Sequence, residues 1–237
     1  MIESISERQV VASQLKQMRS LEKSKNYRES DWDRDINDYL YWFNGLSQVF
    51  KYAKQLNSES LIFDLGAGTT KGISQIAKSR LGEGLNFEAS VLTFRSEIQD
   101  NLGLVKTHIT SVETLRGVEK KSISAMLSLN SLAYSAAPHV AVERINDVLV
   151  PGGVLKATFR VKESKDDEST GEYNYQTHDQ FSTCLRDLDY DVAISKLVSE
   201  ELIVAIKPGI RKTLLADELL RRDSGVLDIL MRKEGHY

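Results

Sequence analysis

From residue 58 onward the chain alternates short apolar runs with helix-like segments. The runs are Leu61–Leu65, Ala89–Phe94, Lys106–Thr110, Ile123–Leu129, Gly153–Phe159, Val192–Leu197 and Leu202–Ile206. Strands that alternate with helices build a mostly parallel sheet, because each parallel step needs a crossover. The last two runs are separated only by Val198 to Glu201. That is too short for a crossover, so this pair is expected to be an antiparallel hairpin. The pattern therefore predicts a three-layer α/β sandwich. Its mostly parallel seven-stranded sheet ends in a C-terminal antiparallel hairpin.

The residues before this region read differently. Residues 1–57 carry helical spacing and no strand signal, with Val11, Leu15 and Met18 on one face. A second helix is expected to begin after Ser30 and stop at Asn57, with an apolar stripe of Trp32, Ile36, Leu40, Phe43, Leu46 and Phe50. The chain thus divides into an N-terminal helical lid or extension (1–57), a core (58–208) and a helical tail (209–237). Residues 163–172 are charged and contain Gly171, which reads as a loop after the fifth strand. Composition narrows the function classes. A net charge of −3 supplies no global attraction to nucleic acid or anionic membrane. Cys184 is the only cysteine, which excludes an internal disulfide and a cysteine zinc site and fits a reducing, cytoplasmic setting. No metal is expected, and monomer and homodimer both stay open.

The segment Leu61-Ile-Phe-Asp-Leu-Gly-Ala-Gly-Thr-Thr-Lys-Gly72 runs from a buried strand into a helix. Gly66 and Gly68 allow a sharp turn and close approach of a ligand to the backbone. The helix expected from about Thr69 offers N–H groups and a positive dipole end that favour a carboxylate. Asp64, at the strand tip, is placed to accept from an ammonium group. Further along stand Val148-Leu-Val-Pro-Gly-Gly-Val-Leu155 and a helix–turn block from Thr177 to Val192.

Taken in this order over residues 58–208, these segments resemble the class I, Rossmann-like S-adenosylmethionine-dependent methyltransferases. The resemblance implies a Rossmann-like fold and the cofactor S-adenosyl-L-methionine, with S-adenosyl-L-homocysteine as product. It implies cofactor contacts at Asp64, Gly66, Ala67, Gly68, Thr69 and Thr70. It adds Phe94 and Arg95 after the second strand, Ser111, Val112 and Glu113 after the third, and Ser128 in the fourth. The chain departs from the family at three places. Thr70 replaces a frequent third glycine, no acid stands at the tip of the second strand, and Ser124 replaces an Asp before the fourth strand.

Methyl transfer needs in-line geometry and a nucleophile able to lose its proton. His139, Asn130 and Tyr134, near the carboxyl end of the fourth strand, are the catalytic candidates. Tyr39, Trp42, Ser131 and His178 are the candidates for contacting the acceptor. The leading expectation is methyl transfer to the oxygen, nitrogen or carbon of a small molecule, with no membrane partner. The loop also resembles that of RNA ribose 2′-O-methyltransferases, whose Lys-Asp-Lys-Glu tetrad would draw here on Lys51 or Lys54, Lys156 and Glu201. The aspartate has no counterpart and basic runs are lacking, so RNA is disfavoured. Two other readings are a non-catalytic module that kept the fold and, on Arg95 alone, an NADP-dependent reductase.

Overall fold

The computed structural model describes residues 34–43, 45–57, 59–91, 103–135, 137–160, 177–196, 200–209 and 216–220. Among these, α1 (Ile36–Trp42) and α2 (Leu46–Leu56) precede β1 (Leu61–Leu65) and α3 (Lys71–Lys78). Then come β2 (Asn86–Val91), β3 (Val105–Ile109), β4 (Ile123–Leu129) and a single 3-10 turn at Leu132–Tyr134. The order closes with α4 (Pro138–Val148), β5 (Leu149–Arg160), α5 (Thr177–Asp187), β6 (Asp191–Lys196), β7 (Glu200–Ile206) and α6 (Ala216–Leu220). The seven strands form one sheet in the order β3-β2-β1-β4-β5-β7-β6. Every pairing is parallel except those of β7, which runs antiparallel to both β5 and β6. This is the expected architecture, and the hairpin is the expected one.

Alternation along the strands sorts the core into two layers. Ile62, Ala89, Leu127, Val154 and Val204 face α1, α2, α3 and α6. Phe63, Met126, Leu155, Ile203 and Ala205 face α4 and α5. Four expectations need correction. The single helix from Ser30 to Asn57 is two helices. Asp35 is extended and caps α1, its carboxylate accepting from the N–H groups of Asn37 and Asp38. Gly45, at φ 71°, then breaks the run before α2. A left-handed residue cannot continue a helix, however regular the apolar stripe across it. The stop at Asn57 holds.

Strand β2 covers residues 86–91 rather than 89–94, with Asn86 to Ser90 opposite Leu61 to Leu65. Strand β5 starts earlier than expected and contains the Pro-Gly-Gly segment. Opposite that segment the register shifts between Ile123 and Ala125, so Ser124 is the bulged residue of β4 and does not precede the strand. The described part of the tail is α6, which docks on the sheet. There Leu219 is buried in the sheet's core and Leu220 packs against it. Trp32, the 11–18 stripe, the 163–172 loop and the rest of the tail lie outside the described residues. Among those described, no helix is long and apolar enough to cross a membrane.

Candidate cofactor site

The site is assembled at the carboxyl ends of the parallel strands, where an open α/β sheet leaves a crevice between crossovers diverging to opposite faces. The loop from Gly66 to Thr70 leaves β1 with three left-handed residues: Gly66 at φ 70°, Gly68 at 62° and Thr70 at 64°. Thr70 stands where glycine is frequent in the resembling family. A β-branched residue pays a strain cost at positive φ, and here Thr70 is fully buried as the N-cap of α3 without a side-chain capping bond. The loop is held from β2. Ser90 Oγ accepts from Gly66 N at 2.9 Å, and its carbonyl accepts from Ala67 N at 2.9 Å. From β4, Ser131 Oγ donates to the Leu65 carbonyl and lies 2.6 Å from Ser128 Oγ. A Cβ on Gly66 would sit 2.5 Å from Ser131 Cβ, so glycine is required there by crowding as well as by backbone angle.

Asp64, the penultimate residue of β1, lies inside this cradle with no exposed surface. Its Oδ2 accepts from the Tyr39 hydroxyl, while Oδ1 is buried with no partner. Burial pushes the Asp64 carboxyl up to about 6, against the opposing hydrogen bond from Tyr39 and the charge of Arg34. Burial, and then the Asp64 charge, hold the Tyr39 hydroxyl well above its usual 10.0. Helix α1 brings Tyr39 there by crossing the start of α3. Ile36 N donates to Gln75 Oε1 at 2.8 Å, and the Tyr39 ring lies so close to Gly72 that a Cβ would meet it at 2.5 Å. Helix α3 starts at Lys71 with Thr70 as its N-cap, close to the expected start, and α1 covers part of its first turn.

A buried carboxylate oxygen without a donor, beside a glycine turn, is an incomplete site. Four of the six such buried side-chain atoms among the described residues belong to Arg34, Asp64, Thr70 and Ser74, around this one loop. The amino-acid end of an S-adenosyl cofactor supplies the ammonium that Asp64 Oδ1 lacks, so the residues present fit that group.

The other sequence-derived candidates are spread over several elements. Ser128 is fully buried, and Ser128 and Ser131 use their hydroxyls within the fold, stitching the tip of β4 to β1. Ser111 bonds Thr114, and Glu113 is buried and accepts from Ser135 at 2.8 Å, which ties the loops after β3 and β4 together with Val112 between them. Asn130, at φ 58°, is fastened to β5 by reciprocal 3.1 Å bonds with Thr158, while Tyr134 and His139 follow it half-buried at the same edge. Tyr39 is fully buried against Asp64, and Trp42 is half-buried, packed on the core and edge-on to the exposed Tyr41. His178 begins α5 and pairs with Glu201 at 3.0 Å and Asp179 at 3.3 Å. His108 pairs at 2.5 Å with Glu88 on β2. Phe94 and Arg95 lie outside the described residues.

The ribose-methylating tetrad is not assembled. Lys51 is exposed on α2, and Lys54 donates to the Glu83 carbonyl. Lys156 is fully buried on the α6 side of the sheet and donates to the Leu219 carbonyl at 3.0 Å. Glu201 alternates with Leu202 on β7 and meets His178 on the opposite side. Sequence reasoning missed Arg34, Ser90 and Gly72. Arg34 and Ser90 lie in no motif, and Gly72 ends the loop segment without a role readable there; only the crossing of separate elements shows what each meets.

No protein-family model matches the chain, and no curated protein matches it. Solved structures do. An O-methyltransferase family protein from Burkholderia thailandensis superposes with a TM-score of 0.60 at 14% identity, covering 82% of this chain and 64% of the other. A SAM-dependent methyltransferase from Aquifex aeolicus gives 0.55 at 14% identity, covering 76% of this chain and 99% of the other. The plantazolicin methyltransferase in complex with SAH gives 0.60 at 11% identity, covering 85% and 97%. The shared architecture is the Rossmann-like class I methyltransferase fold.

Proposed function

We propose that this chain, which has the class I methyltransferase fold, binds S-adenosylmethionine at the β1–α3 loop and transfers a methyl group to a small-molecule acceptor. The observation that carries the reading is the fully buried Asp64 with an unpartnered Oδ1 beside a loop of left-handed residues. Asp64 accepts the ammonium of the cofactor's amino-acid end, and Gly66 and Gly68 let the backbone approach it. When bound, the cofactor supplies a methyl group already activated on a sulfonium. The protein therefore has to position an acceptor, exclude water and receive at most one proton.

In this reading Asn130, Tyr134 and His139 serve the acceptor at the end of β4. His178, oriented by Glu201, serves it from α5, which packs against the 3-10 turn bearing Tyr134. Residues 1–57 cover the 58–208 core, with 209–237 as a tail, and the lone cysteine accords with a cytoplasmic setting. The solved likenesses that support a small acceptor include an O-methyltransferase family protein and a phosphoethanolamine N-methyltransferase. Calorimetric titration with S-adenosylhomocysteine tests the cofactor assignment. The wild-type chain should bind, and Asp64→Asn should bind at least about tenfold more weakly. A wild-type chain that takes up no S-adenosylhomocysteine sinks the reading.

A further inference from the structure

We infer that Arg34, from the segment preceding α1, is the cation that holds the cofactor's carboxylate, so that Arg34 and Asp64 together clamp both charged groups of its α-amino acid end. The inference rests on the cofactor reading above and adds a residue outside every motif in the chain.

Three observations converge on Arg34. Its Nη1 is buried with no partner, as is Asp64 Oδ1. Its side chain hydrogen-bonds the Tyr39 phenol, which places the guanidinium at the loop, and its charge acts on both Tyr39 and Asp64. The Tyr39 hydroxyl donates to Asp64 Oδ2, so Arg34 and Asp64 flank one phenol and each keeps an unused polar atom. An orphaned donor beside an orphaned acceptor is the complement of a zwitterion. A ligand bearing only an amine or only a carboxylate would leave one of them unsatisfied, at the usual desolvation cost.

The local structure explains why an arginine is needed. The backbone offers the carboxylate little: in the loop, Gly66 N and Ala67 N are committed to Ser90 and Thr70 N to the Ala67 carbonyl, and in the first turn of α3 the Tyr39 ring lies over Gly72. A planar guanidinium can engage a carboxylate with paired N–H groups, which a helix end so covered offers less readily. Arg34 is anchored for this role by its neighbours. Asp35 caps α1 in a capping box with Asp38, and Ile36 N bonds Gln75 on α3. The N-terminal cover thus contributes a ligand contact as well as shielding.

The test compares S-adenosylhomocysteine with its decarboxylated analogue, which keeps the amine and the adenosine, by calorimetry on the full chain. The wild type should prefer S-adenosylhomocysteine by about 10- to 100-fold, the worth of a charge-assisted hydrogen bond to a carboxylate. Arg34→Gln should erase that preference, although losing the charge that lowers the Asp64 carboxyl weakens amine binding for both ligands alike. Arg34→Lys, which keeps the charge that Tyr39 and Asp64 feel, should retain part of it. Equal binding of the two ligands by the wild type overturns the assignment, whatever the variants do. So does an Arg34→Gln chain that still discriminates. Failure of the wild type to bind either ligand strikes the cofactor reading instead, so the two failures are distinguishable.

Discussion

Replacing Asp64 by Asn should stabilise the ligand-free protein at neutral pH while weakening its affinity for the cofactor. Burial raises the carboxyl from 3.8 to about 6, so the folded state holds its proton more tightly than the unfolded chain does. Each tenfold in proton affinity is worth about 1.4 kcal/mol, so ionising Asp64 inside the fold costs about 3 kcal/mol relative to the unfolded chain. Below pH 3.8 both states are protonated and no cost applies. Between 3.8 and about 6 the folded state binds more protons, so stability falls as pH rises. Above about 6 the full cost persists. Asparagine mimics the protonated acid in shape and can still accept from Tyr39. Urea unfolding should therefore show Asp64→Asn close to wild type near pH 4 and more stable by up to about 3 kcal/mol near pH 7.5. A stability difference between the two proteins that does not change with pH refutes the argument. So does an Asn variant less stable than wild type at pH 7.5. Calorimetry on the same samples should show S-adenosylhomocysteine binding weakened by at least about tenfold, the mark of an acid kept for ligand binding at the expense of stability.

Tyr39→Phe removes the hydrogen bond that opposes the upward shift of Asp64. The pH midpoint for S-adenosylhomocysteine binding should then rise above about 6, read from calorimetric titrations across pH 5 to 8; an unchanged midpoint would separate Tyr39 from the binding acid. Gly66→Ala places a Cβ 2.5 Å from Ser131 Cβ at φ 70°. The left-handed backbone alone should cost about 1–2 kcal/mol and the forced shift of the β4 tip about 1–3 kcal/mol, seen as a lowered Tm and weaker cofactor binding. Gly72→Ala drives a Cβ into the Tyr39 ring at 2.5 Å. Helix α1 must lift from α3, costing about 1–3 kcal/mol, and a thermal melt indistinguishable from wild type would show that the contact yields freely.

The sheet was legible because apolar runs report burial directly. Strands β1 and β4 occupy the residues their runs mark, and the four residues between the last two runs leave an antiparallel return as the only short connection. The glycine loop was legible too, since positive φ at residues 66 and 68 favours glycine and glycine stands there. The break at Gly45 was not, because an apolar stripe of helical spacing continues across it and only the crossing of α1 over α3 decides where the chain must turn. The extent of the Pro-Gly-Gly strand was hidden for a similar reason: a bulge at Ser124 exists only between paired strands. The sequence by itself therefore determined the order of elements, the parallel sheet with its reversed strand, and the Asp64 loop that marks the cofactor end. Tertiary structure alone decided what surrounds Asp64. Arg34 with Tyr39, Ser90 and Ser131 lie on three separate segments, and periodicity along a chain records which face of each is buried but not what meets it across the layers. The perturbed acid, its phenol partner and the guanidinium with an unused Nη1 arise from that meeting.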